Sequence, residues 1–192
     1  MNQNTTVVQQ SKVKLSIKAQ TLATITAMAA AVALPQFLHV LGAVTGLGTV
    51  LGETILPMHL PIILAGILAG PYAGAIAGFL SPLLSFALSG MPGKAMLPFM
   101  MLELCIYGLC AGMLRNAKIP SVGKVVLVQL AGRIGKALAI LFAFYVLSNH
   151  AVSAASVWMG VKMGLPGLVL QWVLIPLLLM GTERMRKDEE SR

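Results

Sequence analysis

Acidic residues are scarce. The 192-residue chain has six, and Glu183, Asp188, Glu189 and Glu190 crowd the C-terminus, which leaves Glu53 and Glu103 for the body. Metal-dependent hydrolases and phosphotransferases need several carboxylates or histidines converging on one ion. His39, His59 and His150 show no ligand spacing with each other or with an acid, so neither a metal nor a cofactor is expected. No G-x-S-x-G elbow occurs, which removes the commonest signature of a serine hydrolase. No Walker A run occurs either, so ATP is not bound by that route. The expectation is a protein that is not an enzyme and does not power itself with ATP. Cysteine is nearly missing too. Cys105 and Cys110 lie five apart in one apolar run, a spacing that favours free buried thiols over a disulfide or metal site.

Charge of either sign is sparse. Charged residues make up 10% and hydrophobic ones 57%, with a mean hydropathy of +0.86. A soluble domain carries about a quarter charged residues, so the chain reads as an all-α integral protein of the cell membrane, with the lipid bilayer as its solvent. The net charge of +8 does not imply nucleic acid, because of where the cations lie. Lys12, Lys14 and Lys18 precede the first apolar run, Arg115, Lys118 and Lys124 share one connection, and Arg184, Arg186, Lys187 and Arg192 follow the last run. Ten of fourteen cations thus mark cytoplasmic segments by the positive-inside rule. Three lysines before AMAAAVA imitate a signal peptide, but the run from Ala19 to Val44 exceeds the usual ~7–15 apolar residues. It is read as an uncleaved first helix.

Six spans follow, at about 17–43, 57–70, 72–90, 95–114, 122–147 and 164–184, with both termini cytoplasmic. The second is short for a full crossing. The whole chain reads as one membrane domain, 1–192, with a polar tail over 1–16 and a charged tail over 185–192. The outer connections GAVTGLGTVLGET, SGMPGKA and SNHAVSAASVWMGVKMG are rich in Gly and Ser; the long first and third suit either lids or passive connectors. Small residues recur every fourth position: Ala19, Ala23, Ala27 and Ala31; Gly66 and Gly70; Gly74 and Gly78; Gly108 and Gly112. That spacing lets helix backbones approach closely in lipid.

Against this apolar background, Glu103, Arg133 and Lys136 stand inside spans. A charge at mid-bilayer costs about 2.5–3.5 kcal/mol even on the lenient insertion scale, so such residues pair or face a polar cavity. Gln129, Arg133 and Lys136 fall at i, i+4 and i+7 and share a helix face, as do Glu103 and Tyr107. A Glu103–Arg133 contact is the simplest arrangement, either as a packing pair or as part of a ligand site. Lys136 is then left as a second cation, suited to an anionic ligand group or to snorkelling. Gln171 and Trp172 on the last span are further candidates, with Trp172 deep enough to stack on a ligand ring. Trp158 reads as an interfacial anchor. Met91, Met96, Met100 and Met101 gather near the outer mouth, where adaptable packing is their ordinary role.

The chain resembles the substrate-binding S components of energy-coupling factor (ECF) vitamin transporters over nearly its whole length. The resemblance is carried by six short spans, the alanine-rich first helix and four blocks: ILPMHLPIILAGILAGPYAG, SGMPGKAMLPFMMLELCIYGLCAG, LAGRIGKAL and GLPGLVLQWVLIPLL. It implies a vitamin or precursor bound in an outward-facing pocket, formed mainly by spans 4 to 6 and outer loops. It implies partners as well: a transmembrane scaffold subunit with two ATPases, docked on the alanine row Ala19, Ala23, Ala27 and Ala31. The first outer loop with Glu53 corresponds to a gating loop, and the lack of an ATP motif is what the family predicts. Ligand contacts are expected from Glu103, Tyr107, Arg133, Lys136, Gln171 and Trp172. Two cations and one acid favour a small carboxylate, with pantothenate first and a pyridoxine or hydroxymethylpyrimidine-like ring, stacked on Tyr107 and Trp172, second. Aromatics at 6% argue against a large flat ligand such as folate or riboflavin. An autonomous secondary carrier with Glu103 as proton site, and an assembly factor with charges that only lock helices, are the competing classes. Carriers usually show clear inverted repeats, and Gly66/Gly70 against Gly108/Gly112 is only a faint echo.

Overall fold

The computed structural model describes residues 16–190, so Lys12, Lys14 and Arg192 lie outside the described residues. The helices are α1 (Ile17–Thr45), α2 (Val50–Ile55), α3 (His59–Ala69), α4 (Pro71–Ser89), α5 (Leu97–Met113), α6 (Ser121–Tyr145) and α7 (Ala155–Glu190). A single tight turn, Leu114–Asn116, extends α5, and no strand occurs among the described residues. Six stretches are long and apolar enough to cross a membrane, with α2 and α3 together forming the second. Large apolar side chains cover the outside: Ile17 is 83% exposed, Val44 81% and Leu88 75%. Water would not tolerate so continuous an apolar surface, whereas hydrocarbon solvates it.

Glycine sets the centre of the bundle. A Cβ on Gly108 would run into the Gly74 carbonyl, one on Gly78 into the Leu104 carbonyl, and one on Gly112 into Pro71. The predicted small-residue rows of α3, α4 and α5 therefore meet backbone to backbone, where dispersion between close helices replaces the missing hydrophobic drive. Gly70 joins α3 to α4 at φ 114°, a conformation closed to residues with a Cβ. The alanine row of α1 belongs to this packing. Ala27 and Ala31 are buried in the core, while Ala19 and Ala23 are only half-buried.

Two expected boundaries move. The second span begins at Val50 rather than 57 and is broken, because Leu56 turns left-handed (φ 52°, ψ 51°) before Pro57. A residue preceding proline is pushed out of the right-handed helix, so α2 stops and α3 restarts at His59. The last span begins at Ala155 rather than 164 and ends at Thr182, absorbing much of the third outer connection, and its helix continues to Glu190 through six residues, 185–190, of the expected tail. At its start the Ser156 hydroxyl accepts from the Ser153 N–H at 3.4 Å and lies 3.2 Å from the Ser153 hydroxyl. Gly160 and Gly164, which suggested a loop, instead lie against the Arg133 guanidinium: a Cβ on Gly164 would press into it.

Candidate functional site

Glu103 has no exposed surface and sits at the hub of a polar cluster. Its Oε2 accepts from Lys136 Nζ at 2.8 Å; its Oε1 faces Arg133 Nη1 at 3.3 Å and accepts from the Tyr107 hydroxyl at 3.3 Å. His59 Nε2 stands 3.8 Å from the same Oε1, beyond hydrogen-bonding length. The His59 ring tilts against Tyr107 at 5.0 Å, and the Tyr107 ring lies against Gly132, where a Cβ would strike it. Five side chains converge here because α5 and α6 pack antiparallel and α3 packs against α5.

The pairing differs from the simplest expectation. Lys136, expected to lack a partner, is the cation closest to Glu103, and Arg133 is the looser one. Arg133 Nη1 lies 3.3 Å from Glu103 and 3.4 Å from the Gly160 carbonyl, and its Nε and Nη2 are buried without a hydrogen-bond partner among the described residues. The reason is geometric: Lys136 lies nearly one turn further along α6 than Arg133, level with the carboxylate. The guanidinium instead crosses to α7.

Above the cluster, a cavity of about 410 Å³ opens at the end of the bundle opposite the α5–α6 connection. Small-molecule sites typically span about 300–1,000 Å³. Arg133, Lys136 and His59 line it, Glu53 stands at its exposed mouth, and six of the twelve methionines (58, 91, 96, 100, 159 and 163) form its walls. Elements from α1 to α7 contribute, so the lining extends well beyond spans 4 to 6 and the outer loops. Glu103 and Tyr107 lie beneath this lining rather than on it.

Gln171 and Trp172 are not among the lining residues. The Trp172 indole N–H donates to Gln129 Oε1 at 2.6 Å, and Gln129 Nε2 donates to Gln171 Oε1 at 3.1 Å and to the Leu168 carbonyl at 3.3 Å. Gln171 Nε2 in turn donates to the Leu56 carbonyl at 3.2 Å. This amide chain ties α6 and α7 to the hinge that follows α2. Backbone contact adds to the tie, since a Cβ on Gly167 would meet the Thr54 and Ile55 carbonyls. Trp158 is 62% exposed and holds Lys162 over its ring at 5.2 Å, as befits an interfacial position.

His59 and the methionines of α7 were not singled out by the sequence as site residues. A signal for His59 existed. It opens an apolar span between Pro57 and Pro61, and an ionisable residue at membrane depth is the feature that marked Glu103. Met159 and Met163 carried no such mark, because their stretch read as a loop.

A family profile described as "ECF transporter, substrate-specific component" matches residues 20–179. The chain belongs to that family. As an ECF S component it is a multi-pass protein of the cell membrane, and it partners with the scaffold and ATPase subunits and with a small-molecule substrate. No curated protein and no solved structure matches the chain.

Proposed function

We propose that this S component captures a small vitamin or precursor bearing a carboxylate, with pantothenate the first choice, and hands it to the ECF scaffold without chemical change. One observation carries the reading. Two cations and one carboxylate leave a single positive charge under the cavity, and the Arg133 Nε and Nη2 donors are unpartnered. A buried cation with idle donors is costly unless an anion meets it, and a guanidinium edge takes a carboxylate bidentately. The methionine walls suit a flexible aliphatic body, since thioethers adapt to irregular shapes. A pyridoxine-like ring loses its support, because neither Tyr107 nor Trp172 lines the cavity.

An outward-facing cavity with both termini in the cytoplasm is supported by the positive-inside rule, since Lys18, Arg115, Lys118 and Lys124 lie toward the opposite end of the bundle. The α2 segment with Glu53 serves as gate. Docking on the scaffold uses the inner end of α1, where Ala19 and Ala23 remain half-exposed; Ala27 and Ala31 are spent in the core. The test is calorimetric titration of the purified chain with pantothenate and with pantothenol, its neutral alcohol counterpart. Pantothenate should bind and pantothenol should bind at least about tenfold more weakly, the loss of one charge-assisted contact. Equal binding of the two removes the carboxylate from the reading.

A further inference from the structure

His59 is the most conspicuous idle polar group in the described structure. It is 1% exposed and lines the cavity, and neither ring nitrogen has a hydrogen-bond partner. Buried polar side chains nearly always find a partner, so one is missing. Protein atoms do not supply it: Glu103 Oε1 is 3.8 Å from Nε2, and Tyr107 offers its ring rather than its hydroxyl. Structural necessity does not explain the residue either, since an apolar side chain of the same volume would pack at this position without leaving nitrogens unmet.

We infer that His59 is a ligand-contacting residue that accepts a hydrogen bond through Nδ1, so that the substrate is a monoanion carrying a hydroxyl or amide N–H donor near its anionic group. The inference rests on the carboxylate reading of the cavity. Which imidazole nitrogen holds the proton is set by what the other one faces. The Glu103 oxygen 3.8 Å from Nε2 is negative and cannot donate; it repels a lone pair on Nε2, so the neutral ring carries its proton there and presents Nδ1 as an acceptor. A ligand group that meets Nδ1 must therefore donate. Arg133 Nη1 and His59 Nε2 stand 3.3 and 3.8 Å from the same Glu103 oxygen. One small molecule can thus reach both, with its anion on the guanidinium and a donor a few bonds away. A bare fatty or branched-chain carboxylate would satisfy Arg133 and the methionines but leave His59 idle, and would be discriminated against for that reason.

The test titrates pantothenate into the purified full chain, into His59→Phe and into His59→Asn, with melting curves of each ligand-free protein. His59→Phe should bind about tenfold or more weakly, as expected for one lost hydrogen bond to a buried polar group. His59→Asn, which keeps an acceptor oxygen, should recover part of that loss. Wild-type affinity in His59→Phe overturns the inference and leaves the carboxylate reading intact. If His59→Phe melts far below the wild type, the wild-type ring-nitrogen resonances decide: Nδ1 must shift on adding pantothenate, and a static signal overturns the inference. If the wild type does not bind pantothenate, that substrate falls. The solute co-purifying with the chain, identified by mass spectrometry, then replaces it in the same nitrogen measurement. An anion without a hydroxyl or N–H overturns the role of His59 alone; a neutral or cationic solute, or none at all, overturns both readings.

Discussion

A carboxylate with no exposed surface persists inside an apolar bundle only because its charge is matched. Glu103 is matched chiefly by Lys136 at 2.8 Å, while Arg133, at 3.3 Å, keeps donors in reserve. The two cations therefore divide the work. Lys136→Met should leave the buried carboxylate short of its main partner and cost about 3–5 kcal/mol of stability, whereas Glu103→Gln combined with Lys136→Met should restore most of it. Arg133→Met leaves the Glu103–Lys136 contact in place, so its melting point should stay near the wild type. Its affinity for pantothenate should fall by about ten- to a hundredfold, the value of a hydrogen bond to a charged group. Calorimetric binding and thermal melts on the same samples read both quantities. The assignment would be reversed by a Lys136→Met protein that melts normally but has lost its affinity.

Helices pack here by close backbone approach, and the cost of blocking it falls on the fold. Gly108→Leu would drive a side chain into the Gly74 carbonyl on α4, with backbone on both sides and nothing flexible to yield. Overpacking of this kind typically costs about 1–3 kcal/mol and more where backbone must move, so the variant should express poorly or melt early. The alanine row separates into two halves by the same logic. Ala31→Trp, at a fully buried position, should fail to fold. Ala23→Trp, half-buried at the inner end, should still bind pantothenate but lose co-purification with scaffold and ATPases. A folded, binding-competent Ala31→Trp protein would show that α1 packs differently. On α7, Gln171→Leu removes the donor to the Leu56 carbonyl. With the hinge untied, dissociation of pantothenate measured by stopped-flow dilution should quicken about two- to tenfold, the span of one ordinary hydrogen bond, and the unpaired Leu56 carbonyl should lower the melting point as well.

At the scale of the whole molecule, the six spans form a receptor with one polar floor and one open end, and the energy for transport comes from its partners. Liposomes carrying the chain alone, with ATP inside, should show no concentrative uptake of pantothenate. Adding the scaffold and both ATPases should restore it. Accumulation driven by an ion gradient in the chain alone would favour the secondary-carrier reading, with Glu103 as the proton site. The environment of Glu103 opposes that role, because a carboxylate held by Lys136 at 2.8 Å stays ionised and does not face the cavity itself.

Membrane location, six spans and the small-residue seams were determined by the sequence alone, because each depends on composition or on spacing within one helix. A run of apolar residues must be solvated by lipid wherever it folds, and glycines four apart share a face in any α-helix. The ionisable residues at membrane depth were legible for the same reason: Glu103, Arg133 and Lys136 had to converge on something. Which cation takes the carboxylate was decided only by tertiary structure, since it depends on the relative heights of α5 and α6, a property of two helices that neither sequence contains. The same holds for His59, 44 positions from Glu103 in the chain and 3.8 Å from it in space. It holds again for Gln171 and Trp172, whose polar groups read as ligand contacts until α6 brought Gln129 against them. Ala27 and Ala31 show the limit most plainly. A row of small residues announces close packing, but whether it packs on its own bundle or on a partner depends on which helices lie against it in the folded protein.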